Sequence, residues 1–329
     1  MRILYTFLFF PILFFGQVCD SLQMQSLIYI GPLQISEINE SMGLRNGTDY
    51  NGATIYYPIN QNNLSSIVLV PGFMNTELTI QNWGPFFASH GIITMTIGTN
   101  SLTDTHVQRR DALFDAIISL KQENQRIGSP LFGKLDTSSI AVGGFSKGGG
   151  GAQLLAKVDP SLKAVVALYP WLENVTASDL EHTVPLIIIS GQLDAIAPPF
   201  LHADIQYNLT PMTTKKLKYE VAFAGHDAIS GPYAGNGEVG ARVLSWLNTF
   251  LVIDSCYCPL LLEQPITSSS YTTNVVCSNL FTNIYESNKS YSKEIIEIRD
   301  LYGRKTKFFN SRILIYIYKD GSYEKKITL

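Results

Sequence analysis

The sequence predicts an α/β fold, a mostly parallel sheet with helices on both faces, followed by a small all-β module. Three observations lead there. The apolar runs at 164–168 and 186–189 are continuous rather than alternating, as in strands covered on both faces. Runs of strand character alternate with runs of helical periodicity between residues 53 and 252. Beyond Cys277 the chain turns polar and rich in Ser and Asn, then ends in two β-like runs.

The chain has 329 residues, with 46% hydrophobic and 16% charged, enough apolar material for a large core and an appended module. Net charge is −3 and no long basic run occurs, which argues against a nucleic-acid partner. Arg2 precedes an apolar run over 3–15 that ends at Gly16-Gln17, the pattern of a secretory signal peptide spanning residues 1–16. That run is too short for a comfortable membrane span, so the mature protein is expected outside the cell without an anchor. Cys19, Cys256, Cys258 and Cys277 then face an oxidising compartment and are expected in disulfides. Cys256–Cys277 and Cys258–Cys277 both remain open; either would close a short loop and stabilise by about 3 kcal/mol in the chain-entropy model. No His lies near this cluster, so no metal or cofactor is expected there.

In order, residues 53–58 and 66–70 read as strands rich in β-branched and aromatic residues, with an Asn-rich turn between them. Pro71-Gly72-Phe73-Met74 ends the second. A short helix over 83–90 stops at Gly91, and 92–97 is the next strand. Leu113, Ala116, Ile117 and Leu120 recur at helical spacing within 107–124. An apolar run from 139 then reaches Gly144-Phe145-Ser146-Lys147-Gly148, with a helix-compatible segment over 152–157. That is the G-x-S-x-G nucleophile elbow in its strand–turn–helix setting. The strands 164–168, 186–189 and 218–223 follow, and a helix over 238–252 closes the domain, which is drawn at 17–280. Residues 281–329 read as a linker and a β module whose hairpin, 313–318 and 322–328, turns at Asp320-Gly321.

A nucleophilic serine needs a base for its proton and a carboxylate to orient that base. Behind an elbow the chain order is Ser, then Asp or Glu, then His. Asp194 stands just past the 186–189 strand and His226 just past the 218–223 strand. Asp227 rivals Asp194 in type, but it adjoins His226 and is badly placed to face that ring. The other histidines, His90, His106, His182 and His202, follow no late strand. Ser146, Asp194 and His226 are therefore the expected triad. The oxyanion needs two backbone N–H donors, expected at Lys147 and, from the loop after an early strand, at Phe73.

These residues, with Val70-Pro71-Gly72-Phe73, Trp83-Gly84-Pro85, Ala88-Ser89-His90-Gly91, Tyr169-Pro170-Trp171, Asp194-Ala195-Ile196-Ala197-Pro198 and Gly225-His226, resemble the bacterial cutinase and polyester hydrolase (PETase-like) family of α/β hydrolases from about residue 53 to 277. The resemblance implies an α/β-hydrolase fold and an open cleft without a lid. It implies an aromatic platform at Trp171, and a subsite lined by Phe73, Phe145 and Ile196. It also implies a carboxy-proximal disulfide in the Cys256/Cys258–Cys277 region. The implied activity is cleavage of cutin-like or synthetic aromatic polyesters such as PET, with soluble short-chain acyl esters as the alternative. Two residues depart from the family pattern: Lys147 where relatives carry Met, and Asp227 after the histidine. The segments 300–304, 316–321 and 325–327 are similar to C-terminal sorting domains of the type IX secretion system, which implies the secretion machinery as a partner.

Overall fold

The computed structural model describes residues 24–226, 231–279, 295–300, 304–306, 312–318 and 323–328. The expected signal segment, most of the linker, Asp227 and the Asp320-Gly321 turn lie outside them. The chain divides into two compact units, residues 1–275 and 276–329.

Nine strands of the first unit form one sheet. They are β1 (Ile35–Asn39), β2 (Ala53–Pro58), β3 (Leu64–Val70), β4 (Ile93–Ile97), β5 (Leu135–Phe145), β6 (Ala164–Leu168), β7 (Leu186–Gly191), β8 (Lys216–Val221) and β9 (Ser268–Thr273). Their order is β1-β2-β4-β3-β5-β6-β7-β8-β9. The six strands from β4 across to β8 run parallel, while β1, β2 and β9 pair antiparallel at the margins.

Parallel strands need crossovers, and four helices supply them: α1 (Trp83–Ser89) from β3 to β4, α2 (His106–Glu123) from β4 to β5, α3 (Lys147–Val158) from β5 to β6 and α4 (Ala203–Leu209) from β7 to β8, while a fifth, α5 (Glu238–Leu247), leads from β8 to the antiparallel β9. Ala112, Leu113, Ala152, Leu155 and Ala203 of α2, α3 and α4 share one core with Val68, Val70, Val142, Val165 and Ile188 of the strands. Helices α1 and α5 meet each other elsewhere: a Cβ built on Gly240 would lie 3.0 Å from Phe86. Thr105 starts α2 with a capping box in which Thr105 and Gln108 satisfy each other's backbone N–H.

The fold is the expected α/β arrangement, with informative differences in its elements. Helix α3 begins at Lys147 rather than 152, so Gly148–Gly151 are helical despite glycine's poor propensity. Tertiary contact decides this. A Cβ on Gly148 would sit 2.5 Å from the Val70 carbonyl oxygen, and one on Gly150 would sit 2.5 Å from that of Trp171. Strand β8 starts two residues earlier than expected and ends at Val221, because Phe223 turns left-handed at φ 58°. Lys216, at its start, is buried and donates from its ammonium to the carbonyls of Tyr207 and Thr210. The last helix stops at Leu247 and continues as a π-turn, Asn248–Val252. Cys256, Cys258 and Cys277 are all disulfide-bonded.

In the second unit β10 (Ile295–Arg299), β11 (Arg312–Tyr318) and β12 (Tyr323–Thr328) form an antiparallel sheet, one strand more than the expected hairpin. Leu314 and Tyr316 are buried there, with Ile298 packed on them.

Candidate active site

The carboxyl ends of β3, β5, β6, β7 and β8 converge on one edge of the sheet. Ser146 sits between β5 and α3 at φ 53°, ψ −119°, a conformation that an L residue keeps only when its surroundings impose it. Two backbone bonds impose it: the Ser146 N–H donates to Leu168 O (2.9 Å), and Ser146 O accepts from the Trp171 N–H (3.0 Å). The flanking glycines permit it. A Cβ on Gly144 would lie 2.5 Å from the carbonyl carbon of Gly148, so the turn closes only if both positions stay bare.

Asp194 follows β7 in a turn whose own N–H donates to Gly191 O (3.1 Å). One carboxylate oxygen, Oδ1, accepts from the N–H groups of Ile196 (2.9 Å) and Ala197 (2.7 Å). The other, Oδ2, lies 2.7 Å from His226 Nδ1. The Leu193 N–H donates to Ala224 O (2.8 Å), which ties the Asp194 loop to the His226 loop. His226 Nε2 is then 3.1 Å from Ser146 Oγ. All three side chains belong to buried residues. With a carboxylate at Nδ1 that nitrogen carries the proton, leaving Nε2 as acceptor for the serine hydroxyl. The imidazole is held sideways by the Phe145 ring at 4.9 Å and the Tyr169 edge at 6.4 Å. Tyr169 is itself buried, and that burial pushes its phenol well above the usual range.

The loop after β3 lies against the serine: a Cβ on Gly72 would be 2.8 Å from Ser146 Cβ. Its shape is set by Arg109, a fully buried side chain of α2. The guanidinium donates to the carbonyls of Pro71 (2.9 Å), Leu102 (3.1 Å) and Asp104 (3.2 Å), while the Met74 N–H donates to Leu102 O (2.8 Å). Burial among neutral acceptors lowers the Arg109 pKa to about 10, still charged at neutral pH. Phe73 and Lys147 thus flank the nucleophile, and the Lys147 ammonium stands 4.7 Å from the Phe73 ring centroid.

Around this centre Trp171 is half-buried, stacked on His202 at 4.4 Å and 30°, with its indole N–H donating to Glu173 (2.8 Å). Ile196 and Phe73 are exposed at 52% and 46%, whereas Phe145 is only 4% exposed and spends its surface on His226. The sequence singles out neither Arg109 nor His202, which follows no late strand. Neither carries a local signal, since both matter only through partners elsewhere in the chain.

A strained serine between a parallel strand and a helix, with the sheet order and crossovers above, defines the class: an α/β hydrolase. The family model described as PETase, PET hydrolase-like, matches residues 29–278. Over 235 residues the chain is 36% identical to Cutinase 1 of Thermobifida cellulosilytica, covering 71% of this chain and 86% of that protein. It is equally identical to the Cutinase of Thermobifida fusca, covering 71% and 75%. It is 33% identical over 219 residues to the Bis(hydroxyethyl) terephthalate hydrolase of Streptomyces coelicolor, covering 65% and 67%. The chain belongs to the PET hydrolase-like family, and it is a carboxylic ester hydrolase. Among the described residues no helix is long and apolar enough to cross a membrane.

Proposed function

We propose that the chain is a secreted serine hydrolase that cleaves the ester bonds of polyesters, cutin-like or aromatic, through Ser146, His226 and Asp194. The observation that carries this is the pair of contacts Oγ–Nε2 (3.1 Å) and Nδ1–Oδ2 (2.7 Å) on one imidazole. His226 takes the Ser146 proton as Oγ adds to the ester carbonyl, and the developing oxyanion accepts the backbone N–H groups of Phe73 and Lys147. Collapse of that intermediate expels the alcohol, which receives the proton from His226. Water then enters by the same route in reverse and releases the acid. Asp194 remains ionised, holding the imidazole in the working tautomer. Trp171, Phe73 and Ile196 offer flat apolar surface to the acyl part, and Phe145 supports it by fixing the histidine ring. Export through residues 1–16, and a type IX-like sorting role for residues 281–329, complete the reading.

The soluble-ester alternative is favoured by one feature, the ammonium of Lys147 in the cleft. The two readings separate on substrate. Purified protein should release 4-nitrophenol from 4-nitrophenyl butyrate and soluble acid from an amorphous polyester film. Turnover of the first with none of the second rejects the polymer reading.

Arg109 is a positioning residue in this scheme. Arg109→Lys keeps the charge but cannot reach three carbonyls, so the Phe73 loop loosens. Because each oxyanion donor is worth about 3 kcal/mol of barrier, partial misplacement should lower kcat about tenfold with KM little changed. A fall in Tm with kcat intact would mean that Arg109 serves stability alone.

A further inference from the structure

Lys147 contributes a side chain as well as an N–H, and among the described residues that side chain has no ionic partner. None of the carboxylates of the described residues forms an ion pair with it. The described acids of this region are committed elsewhere. Glu173 accepts the Trp171 indole N–H, and Asp194 is buried under His226 and two backbone donors. The neighbouring cation, Arg109, is buried with its guanidinium on backbone carbonyls. Among the described residues of the cleft, Lys147 therefore presents the unpaired positive charge, resting on the ring of the exposed Phe73. Its charge is felt locally: together with burial it lowers the pKa of His106. An ammonium held on an exposed ring is easily drawn to an anion, because that cation–π contact is weak beside a charged hydrogen bond.

We propose that Lys147 is a carboxylate-recognition residue, and that the enzyme prefers esters whose acid part carries a second, ionised carboxylate. This rests on Ser146 being the nucleophile, because the Phe73 ring under the ammonium, in the loop packed on Ser146, is then beside the acyl group. The substrates so defined are monoesters of dicarboxylic acids and the carboxylate-ended chains of polyesters built from them. Hydrolysis of an internal ester consumes one water and leaves one carboxylic acid end and one alcohol end. The acid end ionises at neutral pH, and its distal ester is then a substrate with a carboxylate on the acyl side. The enzyme thus trims the acid ends that its own first cut creates.

The test uses the full chain and two esters sharing a leaving group, 4-nitrophenyl 4-carboxybenzoate and 4-nitrophenyl 4-methylbenzoate. The readout is the ratio of their kcat/KM values, in which any common change at the oxyanion hole cancels. Lys147→Met keeps the backbone N–H and should lower the anionic-to-neutral ratio about three- to fivefold, chiefly through KM, as expected for one exposed charge pair. Lys147→Glu should lower it further. In the wild type the ratio should fall as salt is raised from about 0.02 M to 0.5 M, because exposed charges are screened. An unchanged ratio in both variants, or a salt-independent ratio in the wild type, overturns the inference. No turnover of either ester by the wild type would instead overturn the Ser146 reading, and this inference with it.

Discussion

Ser146→Ala is expected to lower kcat on a soluble ester by about 10⁶-fold while leaving the fold in place. Among the described residues the hydroxyl makes one hydrogen bond, to His226. Alanine suffers the left-handed φ of 53° as much as serine does, so the strain of the elbow is unchanged. Its methyl group also fits where Gly72 already leaves room. Loss of rate at unchanged Tm therefore reports chemistry rather than unfolding. Residual catalysis of about 10³–10⁴ over water should remain, because the proposed backbone donors at Phe73 and Lys147 survive. A serine-directed phosphonate should add its mass to the wild type and not to the variant. If the variant keeps its rate, or the wild type is never labelled, the proposed mechanism is wrong.

Asp194→Asn should cost about 10⁴ in kcat with little effect on KM. The amide oxygen can keep both bonds from Ile196 and Ala197, so the turn after β7 is preserved. Its NH₂ group must then occupy the place of Oδ2, facing His226 Nδ1 across 2.7 Å. Two donors cannot face each other there, so Nδ1 gives up its proton and becomes an acceptor. The proton moves to Nε2, and the nitrogen facing Ser146 Oγ can no longer take a proton from it. Nor does any carboxylate remain to stabilise the imidazolium that forms during attack. Single-turnover rates with 4-nitrophenyl butyrate measure this directly. A variant within tenfold of the wild type would show that another acid orients the histidine.

The legibility of this site depended on where its residues sit along the chain. Ser146 and Asp194 follow strands that end or run in continuous apolar residues, and His226 follows a strand, Lys216–Val221, in which charged and apolar residues alternate; both patterns are strong signals in a sequence. Gly144 and Gly148 were legible too, because a turn that tight excludes Cβ atoms and leaves a fixed spacing. The edge strands were not. Ile35-Ser36-Glu37-Ile38-Asn39 and Ser268-Ser269-Ser270-Tyr271-Thr272-Thr273 bury little on either face and read as coil. Their strand state comes from neighbours, β2 and β8, which supply the hydrogen bonds. Helix α3 reads in the opposite sense, since four consecutive glycines argue for loop and only the close approach of Val70 and Trp171 makes them helical.

Alternating runs of apolar strand and periodic helix, one elbow and two well-placed titratable residues sufficed, from sequence alone, for the fold class and for the triad proposed above. They sufficed because each is a local pattern, set by a few consecutive residues. What the tertiary structure decided is of another kind: Arg109 gripping the Pro71 loop from 38 positions away, Trp171 lying on His202, and Lys147 left, among the described residues, without an acid to pair with. Those depend on distances between side chains remote along the chain, which packing fixes and local sequence does not encode.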